Sequence, residues 1–526
     1  MQKKQILWID DEVEFFRAHT MFLEARGYNV LPIQSGNDGL SLIHKNPNAY
    51  DIVLLDEQMP GKGGLAVLSE IKNFLPDLPV VMVTKSEEED LMERAIGKKI
   101  DGYLTKPVNP SQILTVCKRL LKSQEILSEN IKNAFVKSYT EIKTLLQNKT
   151  NISYKEWVRI YQSIVRRELD TENIDDENIR QKHYEQKAEI NSRFADFVVY
   201  NYPIWIKNKD ENIEKPTIST EIMQKYIIPQ INKNEKFALF VLDSVQLDQF
   251  VIIQRFLKKI FKNNGTYFYF SVLPTTTPHA LSSLFTGLLP AEFAKERPDL
   301  WESLAVGANV FKEIAEFGFK RLNCEKTPLF LNMLKDNAKA ENILLHINNE
   351  KKFPVIFTDF LDLMQSNRQN KLVKEIISNS KAFREITSIW FEKSELYKLL
   401  QIMSRENYTI AFTPSSGNIL CTTAAEYYGA ASGYSNLRFR CGENIDADKR
   451  VGYHITQPAN YGLPIKNEET EVNILSQNYY FAPHTSYRTN IRQPSSIFEK
   501  GGVSLEEIII PLAIMNPLDN NDDLLR

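Results

Sequence analysis

Short apolar runs alternate with amphipathic segments along the first part of the chain. The runs are "QILWI", "YNVLPI", "YDIVLL", "LPVVMV" and "DGYL", and segments such as "EFFRAHTMFLEARG" separate them. Continuous apolar strands that alternate with helices are typical of a parallel sheet covered on both faces. The pattern therefore predicts a (βα)5 domain over residues 1–120, with its functional groups at the carboxyl ends of the strands.

A helical pattern follows and lasts longer than an ordinary globular helix. From Ser111 to about Leu146 apolar residues recur every three or four positions, so the last helix of the first domain is expected to continue into the next one. A second helix begins at the capping-box spacing of Ser153 and Glu156, and a third pattern covers residues 179–199. The prediction is a helical bundle linker over residues 121–213, which acts either as a passive spacer or as a rigid transmitter or dimer surface.

Alternation of strands with loops and helices returns beyond residue 213. The segments "FALFVLD", "TYFYFSVL", "NILLHI", "FPVIFTDFLDL" and "YTIAFTP" are predicted as buried strands. Two strand ends carry Asp243 and Asp362, with Asp359 nearby, and a third carries the threonines of "PTTTPHALSSLFTGLLP". This grouping favours a metal-activated nucleophile, because a threonine hydroxyl is unreactive at neutral pH without a base or a metal. The other interpretation of the threonines is that they cap a helix.

Composition restricts the classes of function. A chain of 526 residues suggests two to four domains, and 43% hydrophobic with 25% charged residues is ordinary for a globular protein. A formal net charge of -3 gives no overall attraction to nucleic acid or anionic membranes. The four cysteines show no CxxC spacing, which favours neither a disulfide framework nor a zinc ribbon. No signal peptide and no run of about 18 apolar residues is seen, so we expect a cytoplasmic protein without membrane insertion.

The strand ends of the first domain carry a set of residues suited to phosphoryl transfer. Asp10 and Asp11 follow the first strand, Asp56 the third, Thr84 the fourth and Lys106 the fifth. Carboxylates from two strand ends require a cation, and oxygen-only ligands point to Mg²⁺. Singly each residue has a structural explanation, such as capping a helix. Together they predict phosphorylation of Asp56, with Lys106 and Thr84 binding oxygens of the product.

Residues 1–120 resemble the receiver domain of two-component response regulators, which has a CheY-like fold. The resemblance rests on "WIDDE", "LLDEQMPG", "VTK" and "DGYLTKP". It implies that Mg²⁺ is held by Asp10, Asp11, Asp56 and the backbone carbonyl of Gln58. It also implies that Asp56 is phosphorylated by a sensor histidine kinase or by a small phosphodonor.

The same resemblance assigns a switch and exposes one departure. It implies that Tyr103 turns inward when Thr84 moves toward the phosphoryl group, and that a cis proline follows Lys106. Lys85 departs from the family, because receivers usually have a small residue there. We expect Lys85 to crowd the phosphoryl pocket or to change how fast phosphate is gained and lost.

The last domain, over residues 214–526, resembles the PglZ branch of the alkaline phosphatase superfamily. The resemblance rests on "FVLDSVQLDQF", "PTTTPHALSSLFTGLLP", "FTDFLDLMQSNR", "NLRFRCGENI" and "FEKGGVSLEEIIIP". It implies an α/β alkaline-phosphatase-like fold with two zinc ions. Thr277 would be the nucleophile, and Asp243 and Asp362 would be zinc ligands.

Several ligand positions depart from that family. Ser366 stands where the family has a histidine, Ser415 and Ser416 replace the aspartate and histidine of "DHG", and Lys500 replaces the histidine of "HGG". A serine hydroxyl is a poor zinc ligand, so a two-zinc centre is not expected.

Lys500 suggests how the site persists without zinc. We expect its ammonium to offset the charge of Asp243 and Asp362 and to hydrogen-bond both, the alternative being an exposed lysine in a loop. Among the seven histidines, His279 is a candidate base for Thr277 or a polar loop residue, and the roles of His454 and His484 stay open.

The two resemblances together are those of the response regulators linked to type IX secretion. They imply a cognate sensor histidine kinase, a homodimer on phosphorylation, and a nucleotide ligand or a sigma-factor or secretion-system protein as partner. Two functions stay open: a catalytically degenerate output domain that acts by binding, and an active zinc-dependent phosphodiesterase on nucleotides with Thr277 as nucleophile. Sequence-specific DNA binding is not indicated, because no basic recognition element appears.

Overall fold

The computed structural model describes most of the chain, and it divides into two compact units, Met1–Phe135 and Val136–Arg526. The described residues are 3–85, 97, 100–149, 151–172, 174, 176–207, 214–334, 339–350, 352–366, 370–425, 427–428, 436–442, 445–447, 452–464, 478–481, 486–488 and 497–518. Among the described helices, none is both long enough and apolar enough to cross a membrane.

The first unit contains the five predicted strands in one parallel sheet of order β2-β1-β3-β4-β5. The strands are Lys4–Ile9 (β1), Tyr28–Ile33 (β2), Ile52–Leu55 (β3), Val80–Thr84 (β4) and Gly102–Thr105 (β5). A 3-10 turn at Val13–Phe16 and helices at Arg17–Glu24, Gly36–Lys45 and Gly64–Phe74 connect them. In β1 and β3, Ile9 pairs with Leu55, so the residues that follow these two leave the sheet side by side.

A single helix, Pro110–Asn148, runs from the first unit into the second, as the periodicity predicts. The next helix, Tyr154–Thr171, begins with the predicted capping box: the Glu156 carboxylate accepts from the backbone N–H of Ser153 at 2.9 Å, and the Ser153 hydroxyl accepts from that of Glu156 at 3.4 Å. The third helix, Glu177–Lys207, extends further at both ends than its apolar pattern.

The linker helices share a hydrophobic core with the C-terminal sheet. Trp157, Phe194 and Trp205 are buried in the same cluster as Phe270 of that sheet. The Phe194 and Trp205 rings lie 6.0 and 5.6 Å from the Phe270 ring. Because the core is continuous, helix Glu177–Lys207 is fixed directly to the domain that follows.

A mixed six-stranded sheet of order β7-β20-β10-β6-β9-β8 is the centre of the second unit. Its strands are Phe237–Leu242 (β6), Phe261–Phe270 (β7), Pro328–Asn332 (β8), Phe353–Thr358 (β9), Thr409–Pro414 (β10) and Ile509–Pro517 (β20). Shorter strands form small separate sheets: Ile419–Cys421 (β11), Thr423–Ala425 (β12), Tyr427–Tyr428 (β13), Phe439–Gly442 (β14), Asp446–Ala447 (β15), Tyr453–Ile455 (β16), Asn478–Phe481 (β17), Ser486–Arg488 (β18) and Ile497–Glu499 (β19). β20 is antiparallel to both neighbours, and β6, β8, β9 and β10 are parallel. The carboxyl ends of β6, β9 and β10 therefore lie at one edge.

Helices cover this sheet and carry part of the site. They are Ile228–Lys233, Leu247–Leu257, Thr277–Thr286, Pro290–Glu296, Pro298–Ala305, Phe311–Arg321, Ala340–Glu350, Phe360–Ser366, Lys371–Ile376, Ser380–Lys393, Glu395–Arg405 and Leu505–Ile508, with a π-helical turn at Met223–Ile227 and 3-10 turns at Ser219–Glu221 and Pro458–Tyr461.

The prediction that "NILLHI" is a strand is wrong. This segment lies in helix Ala340–Glu350. Ile343 and Ile347 are buried one helical turn apart, while Leu345 is 61% exposed, which is a helical and not an alternating pattern. A short apolar run does not by itself distinguish a strand from a buried helix face. Strands β8 and β20 were not predicted.

Candidate functional site

The strand ends of the first unit bring three carboxylates and one ammonium together. Asp10 and Asp56 are buried, and the Lys106 Nζ lies 2.8 Å from Asp10 Oδ2 and 3.0 Å from Asp56 Oδ2. One carboxylate oxygen from each of Asp10, Asp11 and Asp56 lies within 4.8 Å of the others. The peptide bond between Lys106 and Pro107 is cis. Oxygen ligands at this spacing fit a hard divalent cation such as Mg²⁺.

The environment of Asp56 sets its pKa. Burial raises the pKa of Asp56, the hydrogen bond and charge of Lys106 lower it, and the neighbouring Asp10 raises it again, so that the pKa of Asp56 is higher than usual. A second positive charge at this position would favour the ionised, nucleophilic form.

The other predicted receiver residues surround this group. Thr84 is buried at the end of β4 and pairs with Thr105 of β5. Tyr103 is half-buried on β5, and Gln58 is exposed in the turn after β3. Lys85 forms an ion pair with Glu12, with 2.6 Å between Nζ and Oε2. The departure at Lys85 therefore places a cation beside the acidic loop.

The second candidate site is built around Asp243, which follows β6 and is buried. Its Oδ2 accepts from the Thr277 hydroxyl at 2.7 Å. Its Oδ1 accepts from the Ser415 hydroxyl at 2.6 Å and the Ser416 hydroxyl at 3.4 Å. Because Pro414 of β10 pairs with Leu242 of β6, the two serines lie directly beside Asp243.

The three threonines at the start of helix Thr277–Thr286 have three different partners. Thr277 binds Asp243, and the Thr275 hydroxyl donates to the Gly502 carbonyl at 3.0 Å. The Thr276 hydroxyl hydrogen-bonds His279 Nδ1 at 2.6 Å. The His279 ring is buried, and burial lowers its pKa to about 3. These contacts favour the interpretation of His279 as a structural residue, because its ring is buried and hydrogen-bonded to Thr276.

Lys500 extends into this group of residues from the end of β19. Its Nζ lies 2.6 Å from Asp362 Oδ1, 3.1 Å from Asp243 Oδ2 and 2.6 Å from the Ser244 hydroxyl, and it also contacts the Thr277 hydroxyl. Only 7% of Lys500 is exposed. Burial raises the pKa of Asp362, but the charge and hydrogen bond of Lys500 and the hydrogen bond of Ser244 outweigh it, so that the pKa of Asp362 is lowered.

Two local features hold the backbone around Lys500. Gly501 has φ +117°, a conformation that strongly favours glycine, and a Cβ there would lie 2.9 Å from Asn436 Nδ2. Asn436 Nδ2 donates to the Lys500 carbonyl at 2.6 Å. The path of the chain at Lys500 is therefore fixed by its neighbours.

Ser244 is a site residue that the sequence patterns did not indicate. It has φ 59°, which is uncommon for a residue with a side chain. Its hydroxyl donates to Asp362 Oδ1 at 3.0 Å, and its carbonyl accepts from Asn418 Nδ2 at 2.6 Å. The only sequence signal was its position directly after Asp243, at the strand end.

The residues present do not fit a two-zinc centre. Ser415 and Ser416 donate to Asp243, and the exposed Ser366 donates to the Leu363 carbonyl at 3.2 Å. Within the described part of the chain, Asp10, Asp11 and Asp56 form the one group of three or more carboxylate, imidazole or thiolate ligands close enough to hold a metal. In the second site the Lys500 ammonium contacts both Asp243 and Asp362, and among the described residues no metal-binding group of imidazole or thiolate ligands includes these aspartates.

A cavity of about 400 Å³ lies in front of this site. Its walls include Asp243, Thr277, Asp362, Lys500, Phe311 and Phe498. The volume suits a small ligand or an inserted side chain. His454 is exposed on β16, and His484 lies outside the described residues.

The linker is joined to this site through helix Glu177–Lys207. Lys187 Nζ lies 3.0 Å from Glu506 Oε1, and Asn191 Nδ2 donates to Glu506 Oε2 at 3.1 Å. The backbone N–H of Leu505 donates to Asn191 Oδ1 at 2.8 Å. Glu506 follows Lys500 by six residues, so the linker helix is bonded directly to the segment that carries the lysine.

A second polar connection joins helix Tyr154–Thr171 to the C-terminal domain. Arg384 Nη1 lies 2.8 Å from Glu168 Oε1 and 2.7 Å from Asp248 Oδ2, and Arg384 Nη2 lies 3.1 Å from Glu172 Oε1. Arg384 and Asp248 are buried. Burial raises the pKa of Glu168, but Lys187, His183 and Arg384 outweigh it and hold the pKa of Glu168 well below its usual value.

A receiver-type site and an alkaline-phosphatase-like site in one chain define a response regulator with an unusual output domain. Family models match residues 6–118 as a response regulator receiver domain, 125–206 as the PorX response regulator linker domain and 222–515 as the BREX system PglZ alkaline phosphatase-like domain. The chain therefore belongs to the PglZ alkaline phosphatase-like family, in the arrangement of a PorX-like response regulator.

Individual relatives match part of the chain. A CpxR homolog of Haemophilus influenzae, a transcriptional regulatory protein, is 25% identical over 227 residues, which is 43% of this chain and 82% of that protein. The transcriptional regulatory protein BaeR of Escherichia coli is 33% identical over 120 residues, which is 22% of this chain and 48% of BaeR. A receiver domain protein from Clostridium thermocellum is 30% identical, covering 24% of this chain and 98% of that one with a TM-score of 0.23.

Proposed function

We propose that this protein is a cytoplasmic response regulator that a sensor histidine kinase phosphorylates on Asp56. Phosphorylation controls the PglZ-type domain, which acts by binding a partner and not by hydrolysis. The observation that carries the proposal is the contact of the Lys500 ammonium with both Asp243 and Asp362, where the family would use metal.

The phosphorylation step follows from the arrangement of Asp56 and Lys106. A carboxylate oxygen of Asp56 attacks the phosphorus of a phosphorylated imidazole, the P–O bond forms as the P–N bond breaks, and the electron pair of that bond stays on the imidazole nitrogen. Lys106, already 3.0 Å from Asp56, binds an oxygen of the new acyl phosphate. Mg²⁺, when bound by Asp10, Asp11, Asp56 and the Gln58 carbonyl, offsets charge between the phosphoryl group and the carboxylates.

The switch relies on two further residues of the sheet. Thr84 is at the end of β4, next to the position of the phosphoryl group, and its hydroxyl binds a phosphoryl oxygen. Tyr103 on β5 is half-buried and moves inward as Thr84 moves toward the phosphate.

A continuous chain of contacts supports control of the output domain by the linker. Helix Pro110–Asn148 enters the second unit, where its Tyr139 and Leu146 carbonyls accept from Gln186 at 2.9 Å and Arg193 at 2.7 Å. Both donors lie on helix Glu177–Lys207, which also grips Glu506. A movement of the long helix is therefore passed to the segment that carries Lys500.

Thr277 keeps the nucleophile position without the means to activate it. Its hydroxyl donates to the Asp243 carboxylate and lies against the Lys500 ammonium. A carboxylate is far too weak a base to remove a threonine proton to a useful extent, and the family activates this hydroxyl with metal.

The cavity beside Thr277 remains available for binding a nucleotide or a side chain of a sigma factor or secretion-system protein, and we connect the protein to control of type IX secretion. Phosphorylation also promotes a homodimer.

Metal content and hydrolysis together test the proposal. We expect purified protein to hold less than stoichiometric zinc, and wild type and Thr277→Ala to leave a nucleotide diester equally intact. The alternative, a zinc-dependent phosphodiesterase, is favoured by membership of the alkaline phosphatase-like family. Two zinc ions per chain, with diester cleavage that Thr277→Ala abolishes, would establish that alternative.

A further inference from the structure

Four oxygen atoms surround the Lys500 ammonium. They come from Asp243 and Ser244 after β6, Thr277 at the start of its helix, and Asp362 on helix Phe360–Ser366. These three segments are far apart in sequence and meet at this nitrogen. In the described part of the chain, Lys500 is the cation that forms ion pairs with both aspartates.

The two aspartates need a cation to stay together. Carboxylates that converge in a partly buried site repel each other, so that one retains its proton or moves away unless a positive charge lies between them. Hydroxyl donors from Ser244, Ser415 and Ser416 satisfy oxygens of these carboxylates but supply no charge. The net charge of the two aspartates and Lys500 is therefore -1, against -2 without the lysine.

We propose that the Lys500 ammonium is the resident cation of this site, a tethered substitute for a divalent metal, and that removing its side chain leaves a binding site for a small primary ammonium ion. This inference rests on the proposed function, in which the output domain works without zinc. It adds that the four oxygen atoms around the ammonium form a cation-binding site, and that primary ammonium ions are the class of ligand this site takes.

The number of N–H donors and the length of the lysine side chain explain why this cation-binding site is specific for a small primary ammonium ion. A primary ammonium offers three N–H donors to the four oxygens, and its positive charge faces two carboxylates. Lys500→Ala removes three carbons and the nitrogen, so n-propylammonium matches the vacated volume. Tetramethylammonium carries the same charge but has four methyl groups and no N–H donors, so it cannot form the same hydrogen bonds with the four oxygens.

The experiment is chemical rescue of Lys500→Ala in the full-length protein. We expect its output-domain melting temperature to fall on the order of 10 °C below wild type. Addition of n-propylammonium chloride is expected to restore much of that loss in a saturable manner, while tetramethylammonium chloride and sodium chloride at equal ionic strength do not. Lys236→Ala, which removes an exposed lysine paired with Glu406 at 3.1 Å, is the matched control and is expected to show neither loss nor rescue.

A second pair of variants keeps the inference testable if Lys500→Ala does not fold. Lys500→Met leaves an apolar side chain of similar length against two carboxylates, and adding Asp362→Asn removes one of the charges. We expect the double variant to melt above Lys500→Met alone. An unchanged melting temperature in Lys500→Met, no recovery in the double variant, or equal rescue by tetramethylammonium would each overturn the inference.

A zinc-selective chelator distinguishes failure of this inference from failure of the proposed function. If the chelator lowers the output-domain melting temperature of wild type, the domain depends on metal and both proposals fail. If the chelator has no effect but the rescue also fails, the metal-independent output domain stands and the tethered-cation inference alone is lost.

Discussion

Asn191 and Glu506 are joined by a buried hydrogen bond of 3.1 Å between Nδ2 and Oε2, across 315 positions of sequence. The same Asn191 side chain accepts the backbone N–H of Leu505 at 2.8 Å. Lys187, one helical turn earlier, binds the other Glu506 oxygen at 3.0 Å. The linker helix thus fixes both the backbone and the side chain of a segment that begins at Lys500. We expect a displacement of this helix to be transmitted to the segment through these contacts.

Asn191→Ala is expected to loosen this segment. It leaves the Leu505 N–H and the Glu506 carboxylate each short of a buried partner, at a cost of about 1–3 kcal/mol for each. We expect faster amide hydrogen exchange in residues 499–507, measured by mass spectrometry, with little change in β6 or β9. Asn201→Ala is the matched control, because Asn201 donates to a carbonyl of its own helix, that of Phe197 at 2.8 Å. Equal protection of residues 499–507 from hydrogen exchange in both variants would show that Asn191 does not fix this segment.

Arg384→Ala is expected to destabilise the second unit strongly. The arginine joins Glu168 and Glu172 of the linker to Asp248, and its loss deprives the buried Asp248 carboxylate of the cation bound to it, while Glu168 keeps its ion pair with Lys187. Removing one partner from a buried ionic group costs about 3–5 kcal/mol. The measurement is the free energy of unfolding of wild type and variant, obtained by denaturant titration.

Arg166→Ala is the control for Arg384→Ala. Arg166 is highly exposed and pairs with Asp170 on the same helix at 3.7 Å. Its removal is expected to change the free energy of unfolding by less than about 0.5 kcal/mol. If the two arginine variants lose similar stability, the buried group is not what fastens the linker to the domain.

Lys85→Ala is expected to strengthen Mg²⁺ binding to the receiver. Lys85 binds Glu12 at 2.6 Å, and its pKa is raised first by that hydrogen bond and further by the nearby Asp56 and Asp11. Removing a cation beside the three carboxylates that we propose as Mg²⁺ ligands favours the divalent ion, and the effect falls as salt rises. Calorimetric titration with MgCl₂ at low ionic strength should show an affinity a few-fold higher than that of wild type.

The control for Lys85→Ala is Lys4→Ala at the opposite end of β1. Lys4 pairs with Asp51 at 3.1 Å, so its removal changes the net charge equally without altering the acidic loop. An equal gain in Mg²⁺ affinity in both variants would assign the effect to net charge. An unchanged affinity in Lys85→Ala would show that Lys85 does not influence the metal site.

How much could be predicted from the sequence differed between the two sites. In the receiver, Asp10 and Asp56 were predicted to meet because parallel strands bring their carboxyl ends to one edge, and the pairing of Ile9 with Leu55 does so. That inference needs only local apolar runs and the residues that follow them. "NILLHI" shows its limit, since a short apolar run fits a buried helix face as well as a strand.

The C-terminal site required more than strand ends. Asp243, Thr277, Asp362 and Lys500 were indicated by resemblance to a family, and they meet in the structure. Ser244 was missed because a serine beside an aspartate has no distinctive pattern. The contact between Arg384 and Glu168 was missed because it joins helices 216 positions apart, and charges on helices usually face solvent.

His279 should make the protein sensitive to mild acid. Its ring is buried against Trp301 and Phe439 and hydrogen-bonded to Thr276, and burial lowers its pKa to about 3. In the unfolded chain the pKa of histidine is about 6.5, so below that pH the unfolded state takes up a proton that the folded state does not. Stability is therefore complete above about pH 6.5 and declines as the pH falls toward 3.

His279→Asn isolates this contribution, because asparagine can still bond Thr276 but does not titrate. We expect the wild type to lose about 2 kcal/mol relative to the variant between pH 7.5 and pH 5, measured by urea unfolding at both values. Loss of packing in the smaller variant adds an offset that does not depend on pH, so the difference between the two pH values carries the result. Parallel pH dependence in the two proteins would mean that the imidazole gains its proton in the folded state, and that its contact with Thr276 does not require the neutral ring.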